Sequence, residues 1–381
     1  MGSTKLVPIE KSEGSYPWLA EQLKQAIESG QVRAGSNLPS TKEIGSKYGV
    51  SAETARRAAK QLEAEGLLVS HPRHGFKVHA RANDPDRGLP VAFVLSGDEQ
   101  PGLWNEFNRL LFAALQKAAA DRGWSMLAVG TGGRTSAQVL EQLRDCRVSG
   151  MVLDAPDPGR LASAGKIGMP VVMMDVWEPA MHVDAVVQDS FQGALLATEH
   201  LVAAGHKRIG WLGPISDSAT SRERFGGAAA ALVAAGLDID RKLMADTPWE
   251  KLPEAARKML ERRDRPTAVL ALWHNSVQAL VPAAAEAKLQ LGRDLAVVGW
   301  SAEEDWNAYR GFYGDAPVQP AMTWSIEELA RRTIARLAER RRHTGMSPTL
   351  IKVPTRLRLP GDEQALRDRG KEAQSERRFA P

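Results

Sequence analysis

Between Tyr16 and Ser29 the apolar residues Trp18, Leu19, Leu23, Ala26 and Ile27 recur three and four positions apart, the spacing of one buried helix face, and Gly30 ends the run. The stretch Leu38-Pro-Ser-Thr-Lys-Glu-Ile44 predicts a second helix capped by Ser40 or Thr41, running to Tyr48 and stopped by Gly49. A third helix starts at once: Ser51 is its cap, Glu53 and Thr54 lie in its first turn, and Ala58, Ala59 and Leu62 face inward. Gly66-Leu-Leu-Val69 and Phe76-Lys-Val78 then read as two short strands around the tip His71-Pro-Arg-His-Gly75.

From Leu89 the pattern changes. Short β-rich runs (Val91–Leu95, Met126–Val129, Gly150–Leu153, Val171–Met174, Arg208–Leu212, Ala268–Leu272, Leu295–Gly299) alternate with helical stretches such as Asn105–Arg122, Ser136–Cys146, Phe191–Ala204 and Arg222–Ala235. Strand, helix, strand in this order predicts parallel sheets covered on both faces, and the length of the region predicts two such lobes. Ligands of open parallel sheets sit beyond the carboxyl ends of the strands. The expected organisation is a winged helix-turn-helix over 13–80, a linker over 81–89, a body over 90–359 and a flexible tail over 360–381. The linker holds Asn83, Pro85 and Gly88 and has no apolar face.

Composition alters this picture little. Of 381 residues 43% are hydrophobic and 25% charged, an ordinary globular balance. The net charge of +4 comes mainly from residues 331–381, which hold 14 basic and 6 acidic side chains; the run Arg340-Arg341-Arg342 reads as a solvated helix face. No apolar run reaches the ~18 residues of a membrane span, and Met1–Glu13 lacks a signal-peptide core, so a cytoplasmic protein without membrane association is expected. The single Cys146 is expected to be a small buried hydrophobe, and with no Cys-rich cluster neither a metal nor another cofactor is expected.

The head resembles the GntR family of winged helix-turn-helix proteins, through Ser29-Gly30, Leu38-Pro39-Ser40, then Ser51, Thr54, Arg56 and Ala58, then Glu65-Gly66-Leu67. The family pattern usually has Arg after the capping Ser, where this chain has Ala52. The resemblance implies double-stranded operator DNA as partner. A helix N-terminus in the major groove puts Ser51, Glu53, Thr54 and Arg57 near base edges. Arg56 and backbone N–H groups meet phosphates, with Ser40, Thr41 and Lys42 beside them. The wing residues His71, Arg73 and His74 reach the adjacent minor groove.

In the body, Val187-Gln-Asp-Ser-Phe-Gln-Gly193 and Glu199-His-Leu-Val-Ala-Ala-Gly-His-Lys-Arg-Ile-Gly210 resemble the LacI family, as do Arg224–Leu232, Pro266–Leu270 and Leu295–Trp300. This resemblance implies an α/β, two-lobed, type I periplasmic-binding-protein-like body with a small-molecule effector between the lobes. The lobes are expected over about 90–187 with 301–323, and about 188–300 with 324–357. Matching positions imply effector contacts at Pro101, Trp104, Arg134, Asp175, Arg224, Trp249, Trp273, His274, Ser301 and Trp324. Arg and Asp to hold hydroxyls, with indoles to cover C–H faces, suit a sugar-like ligand. Where the family has an Asn-Asp pair, a late Asp and a Gln, this chain has Trp273-His274, Ser301 and Trp324, which implies a ligand flatter, larger or less hydroxylated than a simple hexose.

The reading that follows is a ligand-responsive regulator, a repressor and homodimer, rather than an enzyme. Two alternatives stay open: a GntR-headed enzyme acting on a carbohydrate, and a regulator whose body only dimerises. Against the enzyme, the sequence holds no G-x-S-x-G elbow, no H-E-x-x-H and no P-loop.

Overall fold

The computed structural model describes residues 15–71, 75–79, 90–95, 106–155, 158–166, 168–343 and 345–362. The predicted contacts Arg73, His74, Pro101 and Trp104, the linker 81–89 and the tail from 363 lie outside the described residues. Among the described residues no helix is long and apolar enough to cross a membrane.

The head contains α1 (Tyr16–Glu28), α2 (Thr41–Tyr48), α3 (Ala52–Ala64), β1 (Leu68–His71) and β2 (Gly75–Val78). Local chemistry sets these boundaries. Ser40 Oγ accepts the Glu43 backbone N–H at 3.3 Å, and the Glu43 carboxylate accepts the Ser40 N–H at 2.8 Å, a reciprocal cap. Ser51 Oγ accepts the Thr54 N–H at 3.0 Å and shares a hydrogen bond with the Thr54 hydroxyl at 2.9 Å. The turn between α2 and α3 is tight because Gly49 takes φ +67° and because a Cβ on Gly45 would lie 2.8 Å from the Val50 carbonyl oxygen. Leu19, Leu23, Ile27, Ile44, Leu62 and Leu67 form the buried core. β1 and β2 pair antiparallel, with Leu68 opposite Val78 and His71 opposite Gly75, so the wing is present as expected.

The body continues with β3 (Pro90–Leu95), α4 (Glu106–Ala120), β4 (Ser125–Gly130), α5 (Ser136–Asp145), β5 (Met151–Leu153), α6 (Pro158–Lys166), β6 (Val171–Met174) and β7 (Asp184–Gln188). Then come α7 (Ser190–Ala203), β8 (Ile209–Leu212), α8 (Ala219–Ala234), β9 (Met244–Ala245), α9 (Leu252–Glu261), β10 (Ala268–Leu270), α10 (His274–Glu286) and β11 (Ala296–Ala302). Last are α11 (Trp306–Gly311), β12 (Ala321–Trp324), α12 (Ile326–Arg342), β13 (Leu350–Val353) and β14 (Arg356–Arg358). Two sheets result, in the orders β13-β7-β6-β5-β3-β4 and β14-β12-β11-β10-β8-β9. β5, β6, β7, β8, β10 and β12 are buried along their whole length, as strands with helices on both faces must be.

The lobe boundaries differ from the sequence-based expectation. β11 does not change lobe at Trp300–Ser301: it stays in the second sheet and pairs in parallel with β12 through Gly299↔Ala321 to Ala302↔Trp324. The 301–323 segment therefore belongs to the second lobe. After Trp324 the chain returns to the first lobe, where α12 packs on β6, β7 and β13, and β13 pairs with β7; after Val353 it re-enters the second sheet as β14. A charged anchor fixes α12 to the first sheet. Asp184, buried at the start of β7, accepts Arg336 at 2.8 Å, Arg340 at 2.5 Å and the Thr349 backbone N–H at 2.8 Å. Burial pushes the Asp184 carboxyl up, but the bonds from Arg340 and Arg336 outweigh it and hold the group below the ordinary range. Arg340 is thus no solvated residue. Cys146, expected to be buried, is exposed in the turn after α5.

Candidate functional site

The carboxyl ends of strands from both sheets bring Asp175, Gln188, Arg224, Trp273, His274, Trp300 and Ser301 together. Gln188 ends β7, and Asp175 follows β6 at φ +62°, a left-handed conformation uncommon for a residue with a Cβ. Arg224, in the second turn of α8, is 3% exposed. Its guanidinium carbon lies over two indoles, 4.0 Å from the Trp300 ring centre and 4.9 Å from that of Trp273. It donates to the Leu272 carbonyl oxygen and, at 3.1 Å, to Gln188 Oε1, which also accepts the Trp300 indole N–H. Gln188 Nε2 donates to Asp175 at 2.7 Å.

These bonds form a chain from one sheet to the other, with one amide as its relay. Burial pushes the Asp175 carboxyl up to about 6, against the Gln188 hydrogen bond and the Arg224 charge, which pull it down. Burial likewise brings Arg224 down to about 9, opposed by Asp175 and Asp217. His274 opens α10, with Nε2 3.4 Å from the Ser301 hydroxyl and Nδ1 3.6 Å from the Asp305 carboxylate. Burial, then the Arg224 charge, lowers its pKa to about 4, so the imidazole is neutral near pH 7. Arg224 Nε and the Trp177 indole N–H are buried donors without a hydrogen-bond partner among the described residues.

Trp273 also meets Trp249 and Trp211 edge-on, with ring centres 5.6 and 5.5 Å apart. Gly193 is required beneath this cluster, since a Cβ there would lie 2.4 Å from the Trp300 ring. Other predicted contacts are engaged elsewhere. Arg134 is exposed and folds onto its own turn, donating to the Gly130 and Thr131 carbonyl oxygens and to Gln142. Trp324 is 2% exposed and packs edge-on against Phe107 at 6.0 Å. A cavity of about 570 Å³ opens at the opposite end of the first sheet, between Leu161, Met169, Met181 and Met346, and contains none of the predicted residues.

In the head, Lys42, Ser51, Glu53, Arg56, Arg57 and His71 are exposed. Arg56 lies 3.9 Å from the Glu53 carboxylate. The Arg57 guanidinium stacks instead on the Tyr16 ring, 4.3 Å from its centre.

The family described as periplasmic binding proteins and the sugar-binding domain of the LacI family matches residues 90–302. The chain belongs to this LacI-type family. Its head matches the bacterial regulatory proteins of the gntR family over residues 16–78. The HTH-type transcriptional repressor PurR of Photobacterium profundum is 28% identical over 204 residues, covering 51% of this chain and 61% of that protein's own length. The arabinose metabolism transcriptional repressor of Geobacillus stearothermophilus is 24% identical over 312 residues, 76% of this chain and 83% of that one. A solved structure, the transcriptional regulator CelR–cellobiose complex, covers 92% of this chain and 99% of its own at 22% identity, with a TM-score of 0.61; it shows the fold.

Within this LacI-type body, sequence reasoning left the strand-end indoles Trp177 and Trp300 open between core and site, and missed Gln188 and Asp305. Gln188 and Trp300 both sit at carboxyl ends of strands, a positional signal that was present in the sequence. Asp305 carries no comparable signal, because loop geometry alone brings it to His274.

Proposed function

We propose that the protein is a DNA-binding transcriptional regulator, acting as a repressor, that senses a sugar-like small molecule between the lobes of its LacI-type body. The observation that carries this reading is a capped winged helix-turn-helix on the same chain as two largely parallel sheets whose strand ends converge on one Arg–Gln–Asp relay walled by indoles. Indole faces suit sugar C–H surfaces, and the unpartnered Arg224 Nε–H suits a hydroxyl oxygen, with His274 and Ser301 in the same cluster. The arabinose repressor and the cellobiose complex among its relatives support the same ligand class.

In the head, Ser51, Glu53 and Thr54 read base edges, Arg56 with Ser40, Thr41 and Lys42 holds phosphates, and His71 with Arg73 and His74 follows the wing into the minor groove. Arg57, drawn to one flank of α3 by Tyr16, faces the groove wall and holds a phosphate rather than a base. Two heads read two half-sites, so the working form is a homodimer, in the cytoplasm where the DNA is. An effector alters operator affinity only by its different affinities for the states of the body, an effect of about 5–150-fold.

The test uses the full chain and DNA selected by it from a random pool. Thermal shift against pentoses, hexoses, disaccharides and purine bases identifies the effector, and fluorescence anisotropy then reads DNA affinity with and without it. The expected result is a saturable melting rise for a sugar, a changed DNA affinity, and loss of that response in Arg224→Met with DNA affinity kept. Failure to enrich any DNA sequence overturns the regulator; ligand binding that never alters DNA affinity overturns the coupling; conversion of the ligand to product favours the enzyme.

A further inference from the structure

We infer that Tyr16 is a positioning residue for the DNA contact made by Arg57, a role that rests on the reading of Arg57 as a phosphate contact. Arg56 and Arg57 are neighbours in sequence but differ in their restraints. Successive residues of a helix point about 100° apart, so the two arginines leave α3 on opposite flanks of its exposed face. Arg56 lies beside the Glu53 carboxylate, which offsets its charge. Arg57 has no carboxylate paired with it among the described residues; its only described restraint is the Tyr16 ring, 4.3 Å below the guanidinium.

Tyr16 is itself well placed to act as a platform. It opens α1, is half-buried, and is followed by Pro17, whose fixed φ suits the first turn of a helix. α1 packs along α3, so the ring keeps its position relative to Arg57. A guanidinium stacked on a ring keeps its in-plane N–H groups free, aimed outward in the fork that matches a phosphate. An unstacked arginine would have to lose its side-chain freedom at the moment of binding. The Tyr16 hydroxyl has no part in this, so a plain phenyl ring serves equally.

The test is a double-mutant cycle on the full chain with its selected DNA, read by anisotropy over a range of salt concentrations. Tyr16→Leu weakens binding roughly three- to tenfold in the native background and less than about twofold in Arg57→Gln, while Tyr16→Phe binds as the native chain. Arg57→Gln lowers the slope of log affinity against log salt by about 1. An equal loss from Tyr16→Leu in both backgrounds, or a loss from Tyr16→Phe as large as from Tyr16→Leu, overturns the positioning role and leaves the Arg57 contact standing. An Arg57→Gln protein with native affinity and native salt slope overturns the phosphate contact itself.

Discussion

Replacing Asp175 by Asn tests the electrostatics of the interlobe relay. Asn has the shape of a protonated Asp, tolerates the left-handed backbone found there (φ +62°), and still offers Oδ1 to the Gln188 amide. The native carboxyl rises from 3.8 to about 6 on folding. At about 1.36 kcal/mol per pH unit, keeping it ionised above pH 6 costs on the order of 3 kcal/mol of stability. The sign follows from proton uptake. Between pH 4 and 6 the folded chain holds a proton that the unfolded chain has released, so this contribution is full below about pH 4 and is lost as pH rises through 6.

His274 works in the opposite direction. Its pKa falls from 6.5 to about 4, so its contribution is present above pH 6.5 and is lost as pH falls through 4. In the native chain the two groups offset one another across this range. Asp175→Asn removes one of them, so the variant should gain up to about 3 kcal/mol at pH 8 and nothing at pH 4, leaving the His274 loss exposed on acidification. For a body of this size the gain corresponds to a melting rise of up to about 10 °C. Thermal unfolding of the full chain and the variant, followed by circular dichroism from pH 4.5 to 8, measures it. A constant offset across that range, or a variant less stable than native at pH 8, would refute the burial argument.

Two further substitutions test the framework. Gly193→Ala gains about 1 kcal/mol of helix propensity but sets a methyl 2.4 Å from the Trp300 ring and 2.7 Å from the Thr355 hydroxyl, in a ring already held by Arg224 and Gln188. Overpacking should win by roughly 1–2 kcal/mol, seen as a lower melting temperature with altered near-ultraviolet dichroism; a more stable variant would show that Trp300 moves freely. Asp184→Asn leaves Arg336 and Arg340 without their shared carboxylate and should cost about 3–5 kcal/mol, with faster amide exchange in α12. Unchanged exchange in α12 would mean that apolar packing alone holds it.

The sequence by itself determined the local elements, because their causes are local. Ser40 and Ser51 cap helices within three residues of themselves, Gly49 supplies its own left-handed turn, and buried parallel strands announce themselves as unbroken apolar runs. Strand ends were legible too, while Asp175, Arg224, Trp273, His274 and Ser301 were named together only through the LacI resemblance. What lies far apart in sequence was decided only by the tertiary structure. β11 continues through Trp300 because its pairing with β12 is satisfied in the second sheet, and α12 returns to the first lobe because Asp184, more than 150 residues earlier, accepts Arg336 and Arg340. The roles of side chains at a given position were settled in the same way. Arg134 is consumed by the carbonyl groups of its own turn, Arg57 by a ring at the start of another helix, and Gln188 becomes the relay because an indole, a guanidinium and a carboxylate from three other segments converge on its amide. Each of those outcomes depends on direction and distance in space, which spacing along the chain does not encode.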